Sequence, residues 1–134
     1  MNKLLVICML VFASTSTCLA GDQVITLTPE ALADKKDHLN GRIVEVEACI
    51  YLHHHGMQVG PCGEHTWRQI IPVTDPDNLI RSALKSIGKL PFYHGSFRAI
   101  FRGRVVTQEY TWPQHGKRPA LQLTHVENFR EHGP

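Results

Sequence analysis

Three consecutive histidines lie between two cysteines in the stretch Cys49-Ile50-Tyr51-Leu52-His53-His54-His55-Gly56-Met57-Gln58-Val59-Gly60-Pro61-Cys62-Gly63-Glu64-His65. Imidazole suits borderline metals such as Zn2+ or Cu2+, and sulfur ligands shift the preference toward Cu(I). Side chains alternate across a strand, so three adjacent histidines cannot all converge on one ion. His53 and His55 can share a face, and His65 can add a third ligand. Met57 or Cys62 would favour copper, but a disulfide would take the sulfur of Cys62 away. Glu64 is the nearby carboxylate able to orient a liganding imidazole. The competing reading of the same residues is a polar, exposed hairpin tip that happens to be rich in histidine.

The cysteines have chemistry of their own. A hairpin turning tightly at His55-Gly56 would pair residues whose numbers sum to 111, and so set Cys49 opposite Cys62. In a non-hydrogen-bonded antiparallel pair the Cα atoms approach to about 4.5 Å, within disulfide range. Pro61 strains this register, because it has no N–H to donate to the ladder.

Arg98, Arg102 and Arg104 fall on the outer face of one strand, with Arg68 available from a neighbouring one. Together with Tyr51, Trp67 or Tyr110 they outline a groove for an anion or an oligosaccharide. Cross-strand pairing with Glu45 and Glu47 is the alternative use of the same charges. Catalytic motifs are missing: the chain has no Gly-x-Ser-x-Gly elbow, no His-Glu-x-x-His helix and no phosphate loop. Glu45 and Glu47 share a strand face, as surface carboxylates commonly do.

These residues have to be positioned by what surrounds them. Residues 1–20 read as a cleavable secretory signal: Lys3, an apolar run from Leu4 to Ala13, then polar residues leading to Cys18-Leu19-Ala20. The run is shorter than the roughly 20 residues of a membrane span. Lipid attachment at Cys18 is a rival fate, but Thr15-Ser16-Thr17 is a poor match to the residues that precede such a site. Cleavage before Gly21 removes Cys8 and Cys18, and the remaining pair, Cys49 and Cys62, is expected to be oxidised in an exporting compartment. Residues 21–134 form one domain by length. The formal charge of +2 falls to +1 when Lys3 is lost, which speaks against a dedicated nucleic-acid binder.

Thr28-Pro29-Glu30 signals a helix start, and Asn40-Gly41 its end. Val44, Val46, Ala48, Ile50 and Leu52 alternate with Glu45, Glu47, Cys49 and Tyr51, which predicts a strand from Arg42 to Leu52. A less regular strand follows over Thr66–Val73. Asp75-Pro76 opens a helix bearing the stripe Leu79, Ile80, Ala83, Leu84 and Ile87, closed by Gly88. Phe97 to Gln108 alternates cleanly, with Gly103 marking a bulge or corner. Ala120–Val126 is a last strand, and Arg130 to Pro134 is expected to be loose.

Leu39-Asn40-Gly41-Arg42-Ile43-Val44-Glu45-Val46 resembles the "Leu-x-Gly-Lys/Arg-x-Val-x-Val" start of the first strand in small exported bacterial OB-fold-like domains. Phe97 through Gly103 and Val105 is similar to their "Phe-x-x-x-x-Gly-x-Val" strand, with altered spacing. The resemblance covers about residues 28–128 by order of elements. It implies a mainly β fold with one or two helices, an OB-like five-stranded barrel with a helix between strands 3 and 4. The alternative is a small open α+β sheet. The expected role is a non-catalytic binding module of the periplasm or cell envelope. Its partner would be an envelope protein or an anionic or oligosaccharide ligand, with no nucleic acid and no membrane span. That module needs no cofactor; the alternative is a small periplasmic metal-binding protein using His53, His55 and His65 to hold Zn2+ or Cu2+.

Overall fold

Alternation along Arg42–Leu52 and Phe97–Gln108 demands two long strands that each bury one face, and the two strands pair with each other. The computed structural model describes residues 23–54, 56–90, 94–111 and 115–133. Residues 1–20, expected from sequence to be an export signal, and His55 lie outside the described residues. In chain order the elements are β1 (Val24–Leu27), α1 (Pro29–Lys35), β2 (Ile43–His53), β3 (Gly56–Gly60), β4 (Ile71–Thr74), α2 (Leu79–Ser86), β5 (Gly95–Tyr110) and β6 (Gly116–Glu131). Among the described residues they make one six-stranded sheet in the order β1-β2-β3-β4-β6-β5. An added β2–β5 pairing returns the sheet on itself, so its hydrogen bonds form a ring. The fold is therefore mainly β with two α-helices.

The ring encloses the core. Val44, Val46, Ala48 and Ile50 of β2 meet Phe97, Ala99, Phe101 and Val105 of β5 and Leu121 and Leu123 of β6, none more than 1% exposed. Full burial of such a side chain contributes about 1.5–3 kcal/mol. Helix α1 adds Leu32 to the same cluster, and α2 adds Ile80 and Leu84.

Local chemistry sets the boundaries. The Thr28 hydroxyl accepts from the Ala31 N–H at 3.1 Å, with Pro29 in the first turn, as the sequence predicts. Gly41 takes φ +81°, a conformation that ends the α1 region, and its N–H donates to the Val105 carbonyl at 2.7 Å. The bulge expected at Gly103 is present as a register shift between Arg102 and Gly103 against β6.

Several expectations need correction. The parallel strand β1, which pairs Val24 with Ile43 and Leu27 with Val46, has no counterpart in the sequence reading, because four residues are too few to show a period. The strand expected over Thr66–Val73 begins instead with a 3-10 turn at Trp67–Gln69, and pairing starts at Ile71. Asp75 does cap α2, accepting from the Leu79 and Ile80 N–H groups, both at 2.8 Å. The helix starts three residues later than expected, because Pro76-Asp77-Asn78 forms a turn that puts Asn78 at φ 55°. Asn tolerates this left-handed region better than most residues. The carboxy-terminal stretch expected to be loose continues β6 to Glu131, opposite Phe97, and the His132 N–H donates to the Ser96 carbonyl at 3.1 Å.

Candidate functional site

The hairpin that carries the histidines turns one residue earlier than its sequence suggests. His53 faces Gly56 and Cys49 faces Gly60, so paired numbers sum to 109 rather than 111. Pro61 accounts for the shift: it cannot donate to the ladder, and β3 stops at Gly60 just before it. The tip is thereby placed against α2. Between them lies a cavity of about 400 Å³, walled by Leu52, Met57, Ile80 and Leu84 and rimmed by His53, His54, His94, Asn78 and Arg81. Such a volume lies within the range of small-ligand pockets.

The rim histidines lie close to other polar or aromatic side chains. The His53 Nε2 lies 3.1 Å from the Gln58 Oε1 across the hairpin. The His54 and His94 rings are 6.4 Å apart, centroid to centroid. Asp75 also lines the cavity, but both its carboxylate oxygens accept from backbone N–H groups of α2. The arrangement suits holding a ligand by its polar edge over an apolar floor.

The second cluster surrounds the disulfide. Cys49 and Cys62 are bonded, with Cα atoms 5.0 Å apart. Because the register has moved, the bond runs from within β2 to a residue beyond the end of β3 rather than between facing partners. Cys49 belongs to the outer series of β2, yet it is fully buried. The Tyr51 hydroxyl donates to the Pro61 carbonyl, which fixes the segment leading to Cys62. Burial pushes the Tyr51 phenol above its ordinary pKa, against a backbone hydrogen bond at Gly63 that lowers it. His65 packs on the Tyr51 ring at 4.5 Å and its Nδ1 lies 2.9 Å from the Gly63 carbonyl. His53 and His65 thus serve different surroundings, one at the cavity rim and the other beside Tyr51. Among the described residues, one set of three histidine, cysteine or acidic side chains lies close enough to share an ion: Cys49, Cys62 and His132, with ligand atoms within 4.8 Å of one another.

The arginine face is largely neutralised. Glu45 lies directly opposite Arg102, whose Nη2 approaches the Glu45 Oε2 at 2.6 Å. Arg98 reaches Glu47 at 3.2 Å, and Arg130 adds a longer contact to the same carboxylate at 3.6 Å. The Arg104 Nη1 donates to the Gly41 carbonyl at 2.6 Å. Trp67, 75% exposed, stacks only with its neighbour Arg68 among the contacts described, at 5.2 Å.

Sequence reasoning missed Arg81, His94 and His132. Arg81 sits on the polar side of an amphipathic helix, and only the tertiary approach of the hairpin gives it a role. His94 lies between elements, where no spacing marks it. His132 lies in a tail with the composition of a loose end, and the alternation of β6 breaks before Val126 and Phe129, so no pattern leads to it. Compared with protein-family models, curated proteins and solved structures, the chain matches none.

Proposed function

We propose that this chain is a non-catalytic binding module of the bacterial periplasm or cell envelope, built as an OB-like five-stranded barrel, that takes an anionic or oligosaccharide ligand at the tip of its histidine-rich hairpin. The single observation that carries this reading is the cavity between the tip and α2, with its apolar floor and its imidazole and guanidinium rim. Strand order supports the fold assignment. The ring β2-β3-β4-β6-β5, the parallel β4–β6 pair and the placement of α2 between β4 and β5 agree with an OB arrangement. OB-folds use the loop between their first two barrel strands in ligand binding, and here that loop is the histidine tip. A disulfide suits an oxidising compartment, and among the described residues no helix is long and apolar enough to cross a membrane. The cavity's carboxylate, Asp75, is occupied by two helix N–H groups, which favours holding over acid–base chemistry.

Calorimetric titration with an acidic amino-sugar disaccharide (N-acetylglucosamine joined to N-acetylmuramic acid) tests this reading. Arg81→Ala should weaken binding about tenfold, the worth of one charge-assisted hydrogen bond, while Arg102→Ala should leave it unchanged. Loss of binding in Arg102→Ala but not in Arg81→Ala would move the site to the arginine face and overturn the proposal.

A second reading has one observation in its favour: His53, His54, His94 and Met57 line the same cavity, residue types suited to Zn2+ or copper, although the tip would have to move to bring their donor atoms onto one ion. In this reading the protein is a small metal-binding protein of the periplasm, with His53, His55 and His65 as the ligands expected from sequence. Zn2+ or Cu2+ affinity that falls strongly in both His53→Ala and His65→Ala would favour it.

A further inference from the structure

We propose that Cys49, Cys62 and His132 form a metal site for a thiophilic d10 cation, Zn2+ or Cu(I), that is closed while the disulfide is intact and opens when it is reduced. The site is separate from the hairpin cavity and uses none of the histidines there.

The geometry is already assembled. The two sulfurs and an imidazole nitrogen lie within 4.8 Å of one another. A tetrahedral zinc centre with Zn–S of about 2.3 Å and Zn–N of about 2.0 Å places its ligand atoms about 3.5–3.8 Å apart. The imidazole therefore has to move by no more than about 1 Å relative to the sulfurs, and the sulfurs have only to separate as any reduced pair does. Three different segments supply the ligands, and each is held without help from the S–S bond. Cys49 sits within β2, paired to Gly60 on one side and Arg98 on the other. Cys62 follows Pro61, whose carbonyl is held by the Tyr51 hydroxyl. His132 is tied through its N–H to the Ser96 carbonyl. Breaking the disulfide thus leaves three converging donors rather than three loose chains.

The opening step is thiol–disulfide exchange with an external dithiol. Cys49 is fully buried whereas Cys62 is partly exposed, so the attacking thiolate forms its bond to the Cys62 sulfur and Cys49 leaves as thiolate. The second thiol of the reductant then displaces Cys62. Two electrons pass to the protein, the reductant becomes a disulfide, and both cysteines are left as thiols. A cation entering the site releases their two protons and takes neutral His132 as its third ligand. A tetrahedral centre would leave a fourth position for water or a partner's ligand. Reoxidation by an external disulfide, which takes up the two electrons with two protons from solvent and departs as a dithiol, re-forms the Cys49–Cys62 bond and expels the metal, so occupancy reports the thiol state.

The test compares oxidised and phosphine-reduced full-length mature protein, with Zn2+ alone as the probe in calorimetry and Co2+ in absorption spectroscopy. Reduction should create one additional zinc site per chain, and Co2+ should show thiolate charge-transfer absorption. His132→Ala should weaken that site by more than about tenfold, since loss of even an outer partner of a ligand costs on that order. The His132→Ala protein keeps its disulfide, so its fold can be verified before reduction. Equal zinc binding before and after reduction would overturn the proposal, as would a reduced site indifferent to His132→Ala. A reduced chain that loses its β circular dichroism and does not regain it with zinc would also overturn it.

Discussion

Adding a single methyl group at Gly103 should be among the most damaging small changes available to this chain. A Cβ built there would lie 2.3 Å from the Gln122 carbonyl oxygen and 2.9 Å from its carbon. The first distance is 0.7 Å short of the 3.0 Å below which real Cβ contacts essentially never fall. The obstructing atoms are backbone, so no side-chain rotation relieves the clash. Gln122 pairs with Arg104 on one side and Thr74 on the other, so pushing it away strains the β5–β6 and β4–β6 ladders together. Overpacking alone costs about 1–3 kcal/mol, and one weakened ladder hydrogen bond adds about 1 kcal/mol. Gly103→Ala should therefore lose about 3 kcal/mol, a large part of the 5–15 kcal/mol that stabilises a typical domain. The measurement is urea unfolding, with the midpoint falling at unchanged slope. Gly116→Ala, where nothing lies within 4 Å of the added atom, is the control and should stay within about 0.5 kcal/mol of the parent. A Gly103→Ala protein as stable as that control would refute the close β5–β6 approach on which the ring of strands depends.

The disulfide closes a loop between residues 13 apart in sequence, and replacing both cysteines by serine should cost about 3 kcal/mol in thermal or urea unfolding; a loss under about 1 kcal/mol would contradict it. Tyr51 should ionise above the ordinary tyrosine value in an ultraviolet titration, because burial raises its pKa. The unfolded chain then gives up its phenolic proton first, so this contribution to stability is fully present below about pH 10 and is lost as pH rises through the folded pKa. Tyr51→Phe should flatten that part of the profile, with Tyr110, also raised by burial, supplying what remains. A double-mutant cycle on Arg102 and Glu45 should return a coupling of about 0.5–1 kcal/mol, the upper part of the range for partly exposed pairs; a coupling near zero would return those charges to solvent.

Much of the architecture was legible because burial imposes period. The run from Phe97 to Val105 names its own inner face, and all five of its odd-numbered positions are buried as the alternation requires. The caps at Thr28 and Asp75 and the stop at Gly88 could be read from residue chemistry alone. The disulfide was also legible, although by the wrong register: oxidation of the pair was expected from an even cysteine count and an inferred export signal, whereas its geometry depends on where Pro61 interrupts pairing. What could not be read are effects of tertiary approach. The Arg102–Glu45 pairing, between residues 57 apart, is not among them: it is one of the two uses of these charges that the sequence left open. Arg81 and His94 join the histidine tip only because α2 packs beneath it, and His132 reaches the disulfide only because β6 runs to the end of β5. Short elements such as β1 carry too few residues for any pattern to emerge.

The central claim, that a ligand is held between the hairpin tip and α2, is tested most directly by amide chemical-shift mapping of isotope-labelled protein spanning residues 21–134, titrated with the acidic amino-sugar disaccharide. The account predicts saturable shifts at Leu52–His54, Gly56–Met57, Asn78–Leu84 and His94, all around the cavity, with Arg98, Arg102 and Arg104 unmoved. Shifts confined to the arginine face, or none at millimolar disaccharide, would contradict it.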